Sequence, residues 1–185
     1  MLNTLAGIIA SSGGAAAGGD YQSISTVSVG SGGSSSISFT SIPSTYQHLQ
    51  VRYFSRNAAV TDTVLARFNS DSGSNYAWHS LRGNGASASA AASSSQSAME
   101  MPFASYSGTT SNVFGGYVLD VLDYANTSKN KTLRILGGAD LNGSGSIFFN
   151  SGLWMSTSAI STITIYPSTG NFDQYSSFAL YGIKG

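Results

Sequence analysis

Apolar and polar residues alternate with a period of two along most of the chain from Tyr21 onward. Ile37 and Phe39 are separated by a serine, and Leu49 and Val51 stand between polar neighbours in the same way. Because successive side chains of a β-strand point to opposite faces of a sheet, this alternation predicts strands with one buried face. Clusters of Gly, Ser and Asn separate the segments and are typical of turns.

The later part of the chain repeats this pattern, with many of the β-branched and aromatic residues that sheets favour. The later strand-like segments cover residues 61–69, 99–103, 112–124, 131–136, 147–149, 153–155, 160–165 and 178–183. Gly115 and Gly116 suggest a bulge within one strand, and Gly137 and Gly138 suggest a turn after another. The stretch of Ala and Ser at 83–98 favours a loop or a weak strand.

The number and spacing of these segments predict an all-β fold. About nine or ten strands with turns every 8–12 residues or more are typical of a sandwich or a barrel. We expect a jelly-roll-like antiparallel β-sandwich over residues 21–185, with an extended N-terminal arm over residues 1–20. No exact internal repeat is present, which argues against a solenoid or a propeller.

The charge of the chain excludes several classes of protein. Charged residues make up 9% of the chain, against roughly 25% in an average soluble domain. Glu occurs once and Lys three times, so the usual surface of a helix bundle is missing. We expect no nucleic-acid partner, because no basic patch exists to neutralise phosphates. We also expect no membrane partner, because no apolar run approaches the ~20 residues of a membrane helix.

The remaining composition favours a folded protein that works in an assembly. The chain is 41% hydrophobic and contains 10 Tyr, 9 Phe and 2 Trp, which is enough to bury a core. Cysteine is absent, so no disulfide, thiolate metal site or cysteine nucleophile is possible. Eight Lys+Arg balance eight Asp+Glu, and a net charge of zero favours association.

Residues 1–19 differ in composition from the rest of the chain. A short apolar stretch containing Leu5, Ile8 and Ile9 is followed by Ser, Gly and Ala. It is an arm that buries these side chains in a partner, a disordered tail, or a secretory signal. No Lys or Arg precedes the stretch, which disfavours a signal. Leu2, Leu5, Ile8 and Ile9 are therefore the candidate anchoring residues.

No group of residues predicts catalysis. His79 is near Asp71 and Ser80 in sequence, but a chain with 36 serines offers such a triad by chance. His48 lies on a strand beside polar residues and is expected to be solvated or to lie at an interface. We expect the protein not to be an enzyme.

The acidic residues do not suggest a glycosidase pair or a metal site. Asp120 and Asp123 are expected to point to opposite faces of a strand and to cap its end or pair with Arg134 or Lys131. The oxygen-rich loops at 69–73 and 140–144 lack the closing bidentate Glu of an EF-hand. No metal and no cofactor are predicted, and a Ca²⁺ site formed between subunits is left open.

Carbohydrate binding is the small-ligand hypothesis that the aromatic residues suggest. Tyr76, Trp78 and His79 follow a polar loop, and such side chains can stack on a sugar ring. Trp154 with Tyr166 is an alternative. Large aromatic side chains in a sandwich more often belong to the core.

Five segments of the chain resemble a group of tailed-phage virion proteins. They are residues 35–52 (SSISFTSIPSTYQHLQVR), 66–85 (ARFNSDSGSNYAWHSLRGNG), 122–134, 143–154 and the closing 178–185 (FALYGIKG). The resemblance covers most of residues 35–185 and leaves out the arm. It implies a location in a virion and a structural role, and it brings no catalytic residue with it.

These observations lead to three functional hypotheses. The first is a capsid decoration (cement) protein, expected to be a homotrimer whose partners are itself and the major capsid protein or other virion proteins. The second is a tail or baseplate module that recognises host glycans. The third, a secreted lectin or hydrolase, requires a cleaved signal.

Overall fold

The computed structural model describes residues 20–59, 63–102, 105–106 and 108–185, and these residues form strands and turns without any helix. Consequently, the described chain contains no helix suited to crossing a membrane. The strands are β1 Tyr21–Ser28, β2 Ile37–Phe39, β3 His48–Asn57, β4 Val64–Phe68, β5 Tyr76–Gly83, β6 Ala88–Gln96, β7 Met99–Met101, β8 Ser105–Tyr106, β9 Gly115–Leu122, β10 Lys131–Asp140, β11 Gly145–Trp154, β12 Ile163–Pro167 and β13 Ser177–Ile183.

Most of the strands belong to one large sheet with the order β1-β13-β3-β9-β10-β11-β5-β6. All neighbours along this path are antiparallel, and β8 adds a short parallel pairing with β3. The strands β9, β10 and β11 follow one another in sequence and pair as a meander, so the centre of the sheet is built from local connections.

A smaller antiparallel sheet, with the order β2-β12-β4-β7, covers one face of the large sheet. Phe68 of β4 packs on Trp154 of β11 with 5.6 Å between ring centroids. A Cβ at Gly152 of β11 would lie 2.7 Å from the end of the Met99 side chain of β7, so the two sheets approach closely here. The predicted all-β antiparallel sandwich is confirmed, whereas this strand order does not establish a jelly roll.

The alternating segments predicted from the sequence bury the expected side chains. Leu49 and Val51 of β3 are fully buried, as are Val64, Ala66 and Phe68 of β4. Each set lies on one face of its strand because the side-chain period is two. Alternation of apolar residues therefore identifies the face that meets the opposite sheet.

The two glycine pairs were interpreted wrongly from the sequence. Gly115 and Gly116 lie in regular register on β9, and Gly137 and Gly138 continue β10 without a turn. A Cβ added at Gly115 or Gly137 would overlap the side chain of Tyr117. These glycines therefore make room for an aromatic ring and do not change the direction of the chain.

Two other segments also differ from the prediction. The two short strands expected at 147–149 and 153–155 are one strand, β11. The Ala/Ser stretch, expected to be a loop or a weak strand, contains the nine-residue strand β6. β5 was not predicted, because Tyr76 and Trp78 enclose another apolar residue and hide the alternation. The described residues form thirteen strands, more than the nine or ten expected.

A buried lysine holds two loops at one end of the sandwich. Lys131 is fully buried, and its Nζ donates hydrogen bonds to the carbonyl oxygens of Asn126 (2.7 Å), Lys129 (3.0 Å), Ser156 (3.4 Å) and Thr157 (3.1 Å). Burial lowers the pKa of Lys131 below its usual value. The sequence suggested an acidic partner for this residue, but its ammonium group binds backbone carbonyls instead.

A buried arginine fixes a loop on the other face of the large sheet. The guanidinium of Arg56 donates to Ser105 Oγ (3.1 Å) and to the carbonyl oxygens of Thr110 (2.9 Å) and Val113 (3.2 Å). It also lies 3.4 Å from the carboxylate of Asp173. The loop that follows β8 is thereby held against the end of β3.

Candidate interaction surface

The face of the large sheet that points away from the small sheet carries a row of exposed apolar side chains. Leu136 of β10 pairs in register with Phe149 of β11, and Phe149 pairs with Leu81 of β5. These residues are 51%, 50% and 54% exposed, respectively. Val118 of β9, opposite Leu136, extends the row. We call these four side chains the outer apolar row.

Ile147 lies on the same face as the outer apolar row, nearer the end of the sheet. This residue stands two positions before Phe149 on the same face of β11 and is 62% exposed. Its partners on the neighbouring strands are Gly138 and Gly83, which have no side chains to cover it. The side chain of Ile147 is therefore exposed on this face of the sheet.

Arg52 lies beside the outer apolar row and contacts two aromatic rings. The guanidinium carbon of Arg52 lies 5.3 Å from the ring centroid of Tyr21 and 5.1 Å from that of Tyr181. Its Nε donates to Gln50 Oε1 at 2.6 Å. Two cation–π contacts and a hydrogen bond hold this charge in one place.

The same border contains a second, acid-bridged arginine. Asp120 accepts from Gln50 Nε2 at 2.7 Å and from Arg134 NH2 at 2.8 Å. The pairing of Asp120 with Arg134 confirms one of the partners expected from the sequence. Charged groups on this face are thus linked to one another beside the apolar row.

The chemistry of this face resembles that of a protein interface. Leu81, Leu136, Ile147 and Phe149 together expose about 400 Å², the size of the largest apolar patch on an ordinary monomer. An apolar centre with a polar, arginine-containing rim is the usual anatomy of protein–protein contacts. The outer apolar row is therefore the candidate site for a protein–protein contact.

The structure does not bring together the residues predicted to bind a glycan. Tyr76 is fully buried, and its hydroxyl bonds the backbone of Phe68 and Asp71. Trp78 points to the same inner side of β5, whereas His79 points to the outer side. The three side chains therefore cannot contact one ligand, because successive residues of a strand face opposite ways.

The alternative aromatic pair is also separated. Trp154 lies in the core between the sheets, and its Nε1 donates to Asp71 Oδ2 at 2.7 Å. Tyr166 lies on the small sheet under the guanidinium of Arg67, 5.4 Å from ring centroid to Cζ. These two residues form no common sugar-binding platform.

Trp78 does line a groove on the inner side of the large sheet. The groove has a volume of about 190 Å³ and is also lined by Ser80, Arg82, Phe148 and Asn150. Ser80 Oγ donates to Asn150 Oδ1 at 2.7 Å, and Arg82 lies over the Phe148 ring. The indole N–H of Trp78 is buried and has no hydrogen-bond acceptor among the described residues.

The acidic loop residue of the hypothetical triad has a structural role. Asp71 accepts hydrogen bonds from Trp154 Nε1, from Asn75 Nδ2 at 2.9 Å and from the Gly73 backbone N–H at 2.8 Å. These donors, with Trp154 the strongest, lower the pKa of Asp71. Ser80 and His79 point to opposite faces of β5, so no triad forms.

The other histidine caps the end of a strand. His48 Nδ1 accepts from the backbone N–H of Asp123 at 2.9 Å, and the Asp123 carboxylate pairs with Lys129. Lys129 is the main cause of the lowered pKa of Asp123. Within the described ranges, no group of three His, Asp or Glu side chains is placed to hold a metal ion.

The anchoring residues predicted in the arm, Leu2, Leu5, Ile8 and Ile9, lie outside the described residues. The outer apolar row was missed from the sequence, although Phe148 and Phe149 gave a signal. Two adjacent aromatic residues in a strand must point to opposite faces, so one of them leaves the core. Comparison with known proteins found no family model that matches the chain, and neither a curated protein nor a solved structure matches it.

Proposed function

We propose that this chain is a non-enzymatic structural protein of a tailed-phage virion, a decoration protein that binds and stabilises the capsid shell. The outer apolar row carries this proposal, because a broad apolar face with a polar rim fits another protein surface better than it fits a small ligand. The resemblance of residues 35–185 to virion proteins supports a virion location. Its partners are then the major capsid protein or other virion proteins.

The two parts of the chain divide the binding between them. The sheet presents Leu81, Leu136 and Phe149 on a rigid surface, which loses little conformational entropy on binding. Arg52 and Arg134 at the border set the orientation of the protein through polar contacts with the shell. The N-terminal arm adds an apolar anchor through Leu2, Leu5, Ile8 and Ile9.

The first test is the copy number of the protein in purified particles, measured by quantitative mass spectrometry against the major capsid protein. A decoration protein is present at one copy per capsid subunit or at a fixed large fraction of that number. A few copies per particle would place the protein in the tail or at a vertex. Absence from particles would overturn the virion proposal.

The second test asks whether the outer apolar row binds the shell. We expect the double variant Leu136→Ser, Phe149→Ser to bind capsids stripped of this protein at least tenfold more weakly than the parent, because two buried apolar contacts are lost. Met155→Ser is the matched control, since Met155 is exposed and lies outside the row. Equal binding by the double variant and its control would refute the role of the row.

Deletion of residues 2–19 tests the arm separately. We expect the truncated protein to keep the melting temperature of the parent and to lose capsid binding. Retained binding would assign the whole attachment to the sheet.

The Trp78 groove supports a second candidate function, recognition of host glycans by a tail or baseplate protein. An indole next to amide and guanidinium groups is a common composition for binding a sugar ring. The groove holds Trp78, Asn150 and Arg82 in this way. Glycan-array or cell-binding signal that is lost in Trp78→Ala with an unchanged fold would favour this function over decoration.

A further inference from the structure

Strand β6 forms an open edge of the large sheet. Ala88–Gln96 pairs with β5 along one side, and no other described strand pairs with its second side. Its side chains are nearly all exposed. A row of backbone N–H and C=O groups therefore faces solvent, which is the arrangement that accepts a further strand.

The edge lacks the features with which proteins usually prevent such pairing. Its sequence, ASAAASSSQ, contains no charged residue, no proline and no glycine. The irregularity in its pairing with β5 is confined to its end, opposite the step from Tyr76 to Trp78. Residues 88–93 keep regular register, so about 20 Å of straight edge is open.

The other edges of the sandwich are better protected. β1, at the opposite end of the large sheet, has a register shift in its middle, between Ser23 and Ser25. The edge strands of the small sheet, β2 and β7, contain three residues each. Among the described edges, β6 is therefore the one suited to pair over a long stretch.

The sequence of the edge fits a second copy of itself. In an antiparallel pair, directly opposed residues point to the same face, so a two-fold axis at Ala90 places Ala88 opposite Ala92 and Ser89 opposite Ala91 of the second copy. All of these side chains are small and uncharged. We propose that two copies of this chain associate by antiparallel pairing of their β6 strands about a two-fold axis.

The pairing would extend the outer apolar row. Leu81 of β5 lies opposite Ala90 of β6, so the two rows would meet across the Ala90 pair. A two-fold axis perpendicular to the sheet keeps the outer faces of both copies on the same side. The dimer would present one continuous surface, with or without a capsid as its partner, so this inference does not rest on the proposed function.

The expected strength of the dimer follows from its size. An edge of six small residues buries less than the ~800 Å² per partner of a standard interface. We therefore expect a dissociation constant of about 1–100 μM. Sedimentation velocity between about 5 and 500 μM covers this range and separates a monomer from a dimer or a trimer.

A charged residue introduced at the two-fold axis tests the pairing directly. Ala90→Lys places two like charges opposite each other in the dimer, and we expect it to weaken association at least about fivefold. Ala90→Glu should behave in the same way. An equimolar mixture of the two variants should recover the dimer, because opposite charges then face each other. Thr26→Lys, an exposed position on the other edge strand β1, is the matched control and should dimerise like the parent.

Hydrogen exchange of the unmodified protein supplies a test that needs no variant. Those amides of residues 88–93 that point away from β5 should become more protected as the concentration rises through the dissociation constant. A monomer at 500 μM, a closed trimer such as the sequence suggested, or equal association of Ala90→Lys and the parent would each overturn the pairing. Exchange at this edge that is independent of concentration would do so as well.

Discussion

The two faces of the large sheet are built from the same strands but have different surroundings. Phe148 and Phe149 are neighbours on β11, and they are 5% and 50% exposed, respectively. The inner face is covered by the small sheet, and its aromatic side chains pack against that sheet, as Trp154 does on Phe68 of β4. The outer face has no such cover among the described residues. The outer apolar side chains are therefore expected to contribute less to the stability of the fold than the inner ones, because they keep about half of their surface in water.

The sharpest test of this comparison is to truncate one aromatic residue on each face. Trp154→Ala should lower the free energy of unfolding by about 3–5 kcal/mol, because it leaves a cavity between the sheets and removes a hydrogen-bond donor to Asp71. Phe149→Ala should change it by less than about 1 kcal/mol, since its ring is half exposed. Urea denaturation followed by fluorescence or circular dichroism measures both. Similar losses of unfolding free energy in the two variants would contradict the difference between the two faces.

A smaller loss of unfolding free energy is expected when the buried ammonium group of Lys131 is removed. Lys131→Met should cost about 2–4 kcal/mol, because four carbonyl oxygens lose a charged donor in a place without solvent. Lys129→Met is the matched control. Its ammonium is exposed and pairs with Asp123 on the surface, so we expect a change within about 1 kcal/mol. Thermal unfolding of both variants measures the stability lost at the buried lysine and at the surface lysine.

The inner face is also expected to respond to alkali. Burial raises the pKa of Tyr53 and Tyr124, and raises that of Tyr76 to about 12. The folded state therefore keeps protons that the unfolded chain releases near pH 10, and stability is lost as the pH rises through 12. Lys131, with its lowered pKa, acts in the opposite direction, but three tyrosines outweigh one lysine.

The alkaline response is measured as the urea midpoint between pH 9 and pH 12. We expect it to fall across this interval and to fall less steeply in Tyr76→Phe, which removes one titrating hydroxyl. A midpoint that is constant or rises with pH would contradict the assignment of these tyrosines to a desolvated inner face.

Much of the fold follows from local sequence pattern. Leu49 and Val51 alternate with His48, Gln50 and Arg52, and the structure buries both apolar side chains fully. The alternation cannot be recognised where apolar residues occupy successive positions of a strand, or where all side chains of the strand are small. β5 was missed for the first reason, and β6 was only a weak expectation for the second. In such strands the alternation that distinguishes the faces is absent.

The candidate surface was not predictable in the same way. Leu81, Leu136 and Phe149 are far apart in sequence and become neighbours only through the pairing of β5, β11 and β10. Strand order depends on contacts between distant segments, which a local pattern does not contain. The neutral charge of the chain led to the expectation of an assembly protein, and that expectation needs no knowledge of strand order.

The carbonyl cage around Lys131 has a consequence for the medium in which the protein works. A dissociable ion in such a cage would come and go with the ionic composition of the surroundings. Here the cation is covalently attached to the chain, so it stays when free ions are diluted or chelated. The two loops that meet at Lys131 are thus joined by a cation that does not require a bound ion from the surroundings.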